Sequence, residues 1–226
     1  LIKAVVFDFD GVIANSEPLH FAAFRDVLEA EAVRLTKDDY YGRYLGYDDV
    51  GVFSAVSRDQ ALNWSADRVR YLVDRKAVRL EQLERDVSVL FPGAEAAIRR
   101  LAAAVPLAIA SGALRAEIQR VLEKSDLARF FGAIVAAEDT PSSKPAPDPY
   151  LRAVGLLASS MGQPLHPTEC VAVEDSRWGL ESARSAGLRT VAVTHTYSAS
   201  DLACADLVVA SLDALDLETL STLVPS

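Results

Sequence analysis

Short apolar runs recur along the chain, each bounded by turn or helix signals: Lys3 to Phe7, Leu107 to Ala110, Ala133 to Ala136, Cys170 to Val173 and Thr190 to Val193. A strand covered on both faces needs no polar alternation, so continuous runs of this length suit buried parallel strands. Helical patterns lie between them at Ala94 to Ala103, Ala116 to Lys124, Pro149 to Leu157 and Gly179 to Ala186, the last followed by Gly187 as a stop signal. Strand, helix, strand alternation predicts an α/β fold built on a doubly wound, Rossmann-like parallel sheet.

The stretch from Ser16 to Arg85 interrupts that alternation. Helical spacing appears at Phe21, Phe24, Val27 and Leu28, then again through Val69, Leu72, Val73 and Leu80. It reads as an inserted helical subdomain covering residues 16–85, with residues 1–15 and 86–226 forming the α/β core. The segments Gly11 to Asn15 and Val89 to Gly93 are the expected crossings, Pro92 and Gly93 punctuating the return.

Composition narrows the class of partner. Half of the 226 residues are hydrophobic and 24% are charged, the balance of a globular protein with a full core. A net charge of -9 argues against nucleic acid, since no basic stripe is present to neutralise a phosphate backbone. No apolar span of membrane length and no charged leader occurs, so a cytoplasmic protein without a membrane partner is expected. Cys170 and Cys204 match no metal or redox spacing and read as small core residues in a reducing setting.

The residues that carry chemistry stand at the ends of the apolar runs. Asp8-Phe9-Asp10-Gly11-Val12 places two carboxylates and a turn directly after the first run. Open α/β sheets bind ligands at the carboxyl ends of their strands, and the i, i+2 spacing lets both acids approach one site. Alone, such acids could also be a solvated strand end. Ser111 and Gly112 follow the run ending at Ala110, where a hydroxyl and neighbouring amides can hold phosphate oxygens, although a lone serine there is also an ordinary helix cap.

Lys144 lies among the four prolines between Pro141 and Pro149, an ordered loop from which an ammonium could meet the same phosphate; a solitary loop lysine is otherwise simply solvated. Glu174-Asp175 then brings a second acidic pair to the same edge. Four carboxylates converging beside a phosphate dianion would repel it without a divalent cation, and oxygen-only ligands suit magnesium.

With these four segments in order, the sequence resembles the haloacid dehalogenase superfamily over nearly its whole length, through Asp8-Phe9-Asp10-Gly11-Val12, Ser111, Lys144 and Glu174-Asp175. The resemblance implies that Asp8 attacks phosphorus to form an aspartyl phosphate, while Asp10 protonates the leaving oxygen and later deprotonates water. It also implies a Mg2+ ion held by the Asp8 side chain, the Asp10 backbone carbonyl and Asp175, with Glu174 acting through water, and charge stabilisation by Ser111 and Lys144. An aspartate at position 10 belongs to the superfamily's phosphate-ester chemistry rather than to carbon-halogen cleavage.

The insertion matches the superfamily's helical cap, a lid that favours small phosphorylated metabolites as substrates. Ser16-Glu17-Pro18-Leu19-His20 resembles the cap entry of the branch containing β-phosphoglucomutase and sugar-phosphate phosphatases, and His20 is a candidate to touch the reacting centre, or else a partly buried helix histidine. Tyr44-Leu45-Gly46-Tyr47-Asp48-Asp49 falls at that branch's specificity loop, making Gly46 and Tyr47 candidate substrate contacts, or alternatively parts of a capped turn.

The mutases carry an arginine where this chain has Asp49 and tend to carry a lysine where it has Leu114. A carboxylate at 49 would repel a distal phosphate. The preferred reading is therefore a Mg-dependent phosphatase acting on a small phosphate monoester, such as a sugar phosphate. A phosphomutase in which Arg43 or Arg115 substitutes is the alternative, and a noncatalytic binding protein of the same fold is a third.

Overall fold

The computed structural model describes residues 1–45, 47–85 and 87–223. It divides into two compact units, Leu1–Asn15 with Val89–Ser226, and Ser16–Ser88.

Strand β1, Ala4–Phe7, opens the first unit and is buried at every position. The helical unit follows. Its helix α1, Glu17–Glu29, starts with Pro18 in the first turn, where the missing N–H costs no hydrogen bond, and buries Ala23, Phe24, Val27 and Leu28 along one stripe. Thr36 caps a short helix α2, Lys37–Asp39, which runs into a π-helical turn at Tyr40–Tyr44. Asp48 caps α3, Asp49–Asp59, by accepting from the Gly51 N–H at 2.7 Å, and Ser65 caps α4, Ala66–Glu84, by accepting from Arg68. Phe24, Leu28, Tyr40, Phe53 and Leu72 meet in this unit's core, with the Phe24 and Phe53 rings edge to face at 5.2 Å.

The other unit resumes with α5, Ala94–Ala102; β2, Leu107–Ala110; α6, Arg115–Lys124; and β3, Phe131–Val135. It continues with α7, Asp148–Met161; β4, Cys170–Glu174; α8, Arg177–Ser185; β5, Arg189–Val193; β6, Leu207–Val209; and α9, Leu217–Ser221. Among the described residues the six strands form one parallel sheet in the order β3-β2-β1-β4-β5-β6. The direction of winding therefore reverses at β1, which lies between β2 and β4, and that reversal opens a crevice at the strands' carboxyl ends. Phe7 pairs with Ile109 on one side and with Val173 on the other. Asp8, Ser111 and Glu174-Asp175 thus leave the sheet side by side.

Several sequence expectations shift. Strand β3 starts earlier, at Phe131, and β6 has only three residues, too few to register as a periodic pattern. Helix α7 runs on to Met161 and stops at Gly162, which adopts the left-handed conformation at φ 65°. Cys170 is buried in β4, but Cys204 is exposed, which corrects its reading as a core residue. No helix of the described residues is long and apolar enough to cross a membrane.

Candidate active site

Strand β1 delivers Asp8 to the crevice. Its backbone N–H donates to the Val173 carbonyl at 2.9 Å, carrying the β1/β4 ladder one residue further, and the residue is only 9% exposed. Two residues on, the chain turns at Gly11 with φ 77°; a Cβ there would lie 2.0 Å from Asp175 Oδ2, so glycine is required both by the backbone and by the approach of that carboxylate. Carboxylate oxygens of Asp8, Glu174 and Asp175 all lie within 4.8 Å of one another.

Lys144 is inserted among them. Its Nζ is 2.9 Å from Asp8 Oδ1 and 2.6 Å from Glu174 Oε1, and it lies 5.0 Å from the centroid of the Tyr150 ring. Glu174, fully buried, is held from all sides: Oε1 also accepts from the Tyr150 hydroxyl at 2.8 Å, and Oε2 accepts from the Asp175 N–H, the Ser176 N–H and the Ser176 hydroxyl. Gly179 makes room for it, since a Cβ there would stand 1.8 Å from Oε1. Glu174 is therefore a saturated acceptor that fixes Lys144 against Asp8.

The electrostatics are lopsided. Burial pushes the Asp8 carboxyl up to about 7, with Lys144 opposing the rise and Glu174 and then Asp10 adding to it. Asp175 is likewise pushed up to about 7, by burial first and then by Asp8 and Glu174, while a hydrogen bond from the Thr196 hydroxyl and the charge of Lys144 oppose. Burial alone would lower the Lys144 ammonium, but Asp8 and Glu174 outweigh it and hold Lys144 above the usual lysine range.

One ammonium faces three carboxylates. Moreover, Asp8 Oδ1 accepts no hydrogen bond, its contact with Lys144 being an ion pair outside hydrogen-bond alignment. A buried oxygen-only donor set with excess negative charge and an unsatisfied oxygen fits a hard divalent cation.

The remaining candidates fall into two groups. Ser111 follows β2 directly and is buried; its hydroxyl accepts from the Ala113 N–H at 3.1 Å, four residues before α6 begins, so it closes its own turn instead of capping the helix. Gly112 is exposed beside it, with open space where a Cβ would stand. Asp10 sits at the head of the turn, bridged to Ala14. All of these belong to the same unit as Asp8 and Lys144.

His20, Tyr47 and Asp49 belong to the helical unit, where Tyr47 is 53% exposed. Gly46 lies outside the described residues. Asp49 is no isolated carboxylate, as its Oδ1 lies 2.7 Å from Nζ of Lys76, a lysine 1% exposed that also stands 2.9 Å from His20 Nδ1. An ammonium at that distance offsets part of the repulsion expected of a carboxylate at this position. Arg43 and Arg115 are likewise engaged, with Asp59 at 2.7 Å and with Asp139.

Four residues escaped the sequence reading. Tyr150 looks like any apolar position on an amphipathic helix, and Thr196 and His195 follow β5 with no distinctive spacing. Lys76 did carry a signal, standing one helical turn after Leu72 and one before Leu80 on the buried face.

Residues 2–187 match the model of the haloacid dehalogenase-like hydrolases. The chain is 33% identical over 223 residues to Protein CbbY of Rhodobacter capsulatus, an alignment covering 94% of this chain and 95% of that protein. It is 31% identical to fructose-1-phosphate phosphatase YqaB of Escherichia coli (strain K12), covering 84% and 95% of the two. The crystal structure of CbbY from Rhodobacter sphaeroides in complex with phosphate superposes with a TM-score of 0.83 at 25% identity, over 98% of this chain and 100% of that one. The chain belongs to the haloacid dehalogenase-like hydrolases and is an enzyme.

Proposed function

We propose that this enzyme is a phosphatase that hydrolyses a small phosphate monoester, in the class of sugar phosphates, through a phosphoryl group carried on Asp8. The observation that carries this reading is the Lys144 ammonium held between Asp8 Oδ1 and Glu174 Oε1 at the end of β1. A lysine so placed lies beside any phosphoryl group that Asp8 receives, where charge develops during transfer. The name of the E. coli relative, a fructose-1-phosphate phosphatase, supports the choice of substrate class.

In the first step an Asp8 carboxylate oxygen forms a bond to phosphorus as the bond from phosphorus to the ester oxygen breaks, and Asp10 gives that oxygen its proton. In the second, water attacks phosphorus, Asp10 takes back a proton, and the bond from Asp8 to phosphorus breaks to release inorganic phosphate. Ser111 and the amides beside it are assigned to the phosphoryl oxygens. Asp8, Asp175 and the Asp10 backbone carbonyl would hold Mg2+, with Glu174 behind them fixing Lys144. Bound there, the cation would keep Asp8 ionised near neutral pH and offset repulsion between the carboxylates and the phosphate.

Residues 16–88 are proposed as the cap that selects the organic group. Hydrolysis is favoured over mutase chemistry because Arg43 and Arg115, the two cations considered for gripping a second phosphate, are engaged with Asp59 and Asp139.

A panel of sugar phosphates, phosphoglycolate and nucleotides, assayed with and without Mg2+, tests the reading. Magnesium-dependent phosphate release from one class is expected. Isomerisation of β-glucose 1-phosphate to glucose 6-phosphate without net release would replace it with the mutase.

A further inference from the structure

The turn that carries Asp10 has a brace of its own, outside the four segments that carry the charged site. Strand β5 ends at Val193, and the Thr194 N–H donates to the Val209 carbonyl at 3.0 Å, tying the start of the next segment to β6. His195 then reaches across to the first turn of the chain, its Nδ1 standing 3.0 Å from the Gly11 carbonyl oxygen. A carbonyl only accepts, so Nδ1 carries the proton and donates. The imidazole lies flat on Phe91, the rings 4.0 Å apart and 18° from parallel, which sets its orientation.

Gly11 has little freedom on its other side. Its N–H donates to the Ala14 carbonyl at 2.9 Å, and any side chain on it would collide with Asp175. Its left-handed backbone is open to alternatives that other residues lack; a donor on its carbonyl ties down the Gly11–Val12 peptide, and with the Gly11 N–H held by Ala14 both sides of the residue that follows Asp10 are anchored.

We infer that His195 is a positioning residue: by holding the Gly11 carbonyl it fixes the direction of Asp10, and its contribution falls on the proton that Asp10 delivers to the leaving oxygen. The inference rests on the reading of Asp10 as general acid. It separates His195 from a merely structural residue, because a leaving group that departs without a proton has no need of the brace. A sugar phosphate requires protonation of its alkoxide, whereas p-nitrophenyl phosphate releases a stable phenolate.

The test compares kcat/KM for these two substrates at saturating Mg2+ in the full-length enzyme. His195→Phe keeps a ring on Phe91 and loses the donor; His195→Ala removes both; His195→Asn restores an amide donor near the Nδ1 position. For His195→Phe and His195→Ala a fall of about tenfold or more is expected with the sugar phosphate and of less than about threefold with the aryl phosphate, with His195→Asn recovering much of the difference. Because kcat/KM reports only steps through the first transfer, the second step does not blur the comparison.

Equal falls for both substrates, or none for either, would overturn the inference. Asp10→Asn, run alongside, distinguishes the two levels. If Asp10→Asn splits the substrates and the donor-free His195 variants do not, the inference alone fails. If Asp10→Asn does not split them, the reading of Asp10 fails and the inference with it.

Discussion

Each unit of this enzyme buries a lysine, and the two solve the cost of burial differently. Lys76 in the helical unit is matched by Asp49 at 2.7 Å, with His20 Nδ1 at 2.9 Å and the Phe24 ring centroid at 4.8 Å completing its shell. Lys144 is shared between Asp8 and Glu174, and Asp175 adds a third carboxylate close by. The first arrangement comes nearer to balance, one ammonium against Asp49 and the more distant Glu17, a carboxyl that burial itself pushes up toward its neutral form. The second has more negative charge than its own residues offset, at a strand end, with one carboxylate oxygen left without a hydrogen bond. A buried lysine alone marks nothing; the unbalanced charge around it marks the reactive place.

Breaking the unbalanced site has the largest expected effect. Asp8→Asn removes the proposed nucleophile while keeping its shape, and turnover is expected to fall by roughly 10⁴ or more without loss of folding, checked by kcat and by thermal melting. Lys144→Met leaves Asp8 in place but strips its counter-charge; a loss of about 10²- to 10³-fold in kcat is expected, in line with removal of a group aimed at developing charge.

The same imbalance makes a pH prediction for the metal-free protein. Asp8 and Asp175 have folded pKa values of about 7 against an ordinary 3.8, so between these values the folded state holds protons that the unfolded chain has released. Their stabilising contribution is complete below about pH 4 and is lost as pH rises through about 7, a decline of several kcal/mol. Denaturant melts across that range should show it, and millimolar Mg2+ should flatten it.

The balanced site sharpens the contrast from the other side and carries the smallest effect. Lys76→Met alone strands Asp49, which is partly exposed, and should cost about 1–3 kcal/mol. Adding Asp49→Leu should recover most of that loss, because the pair can be replaced as a unit. The corresponding double change at Lys144 and Glu174 should restore stability at most, never activity.

Much of the core site was legible because its acids end apolar runs: Asp8-Phe9-Asp10 and Glu174-Asp175 announce themselves where a buried strand meets carboxylates. The sheet order that sets β1 between β2 and β4 makes those positions neighbours. What stayed hidden depends on contacts between distant segments. Tyr150 reaches Glu174 from α7, and His195 reaches Gly11 across 184 positions of sequence, neither with a spacing that periodicity can detect. Glu174 was legible as an acid at this edge, but the five donors that surround it, Lys144 among them, come from segments no spacing connects.

The central claim is that Asp8 carries the phosphoryl group. The direct measurement is acid quenching of the Mg2+-loaded enzyme during turnover of its best sugar phosphate, followed by peptide mass spectrometry, with Asp10→Asn used to slow the second step. The account predicts a phosphoryl group on the peptide holding Asp8 and none when Asp8→Asn is combined with it; turnover by wild-type enzyme with that peptide unmodified, or a phosphoryl group on another residue, would contradict it.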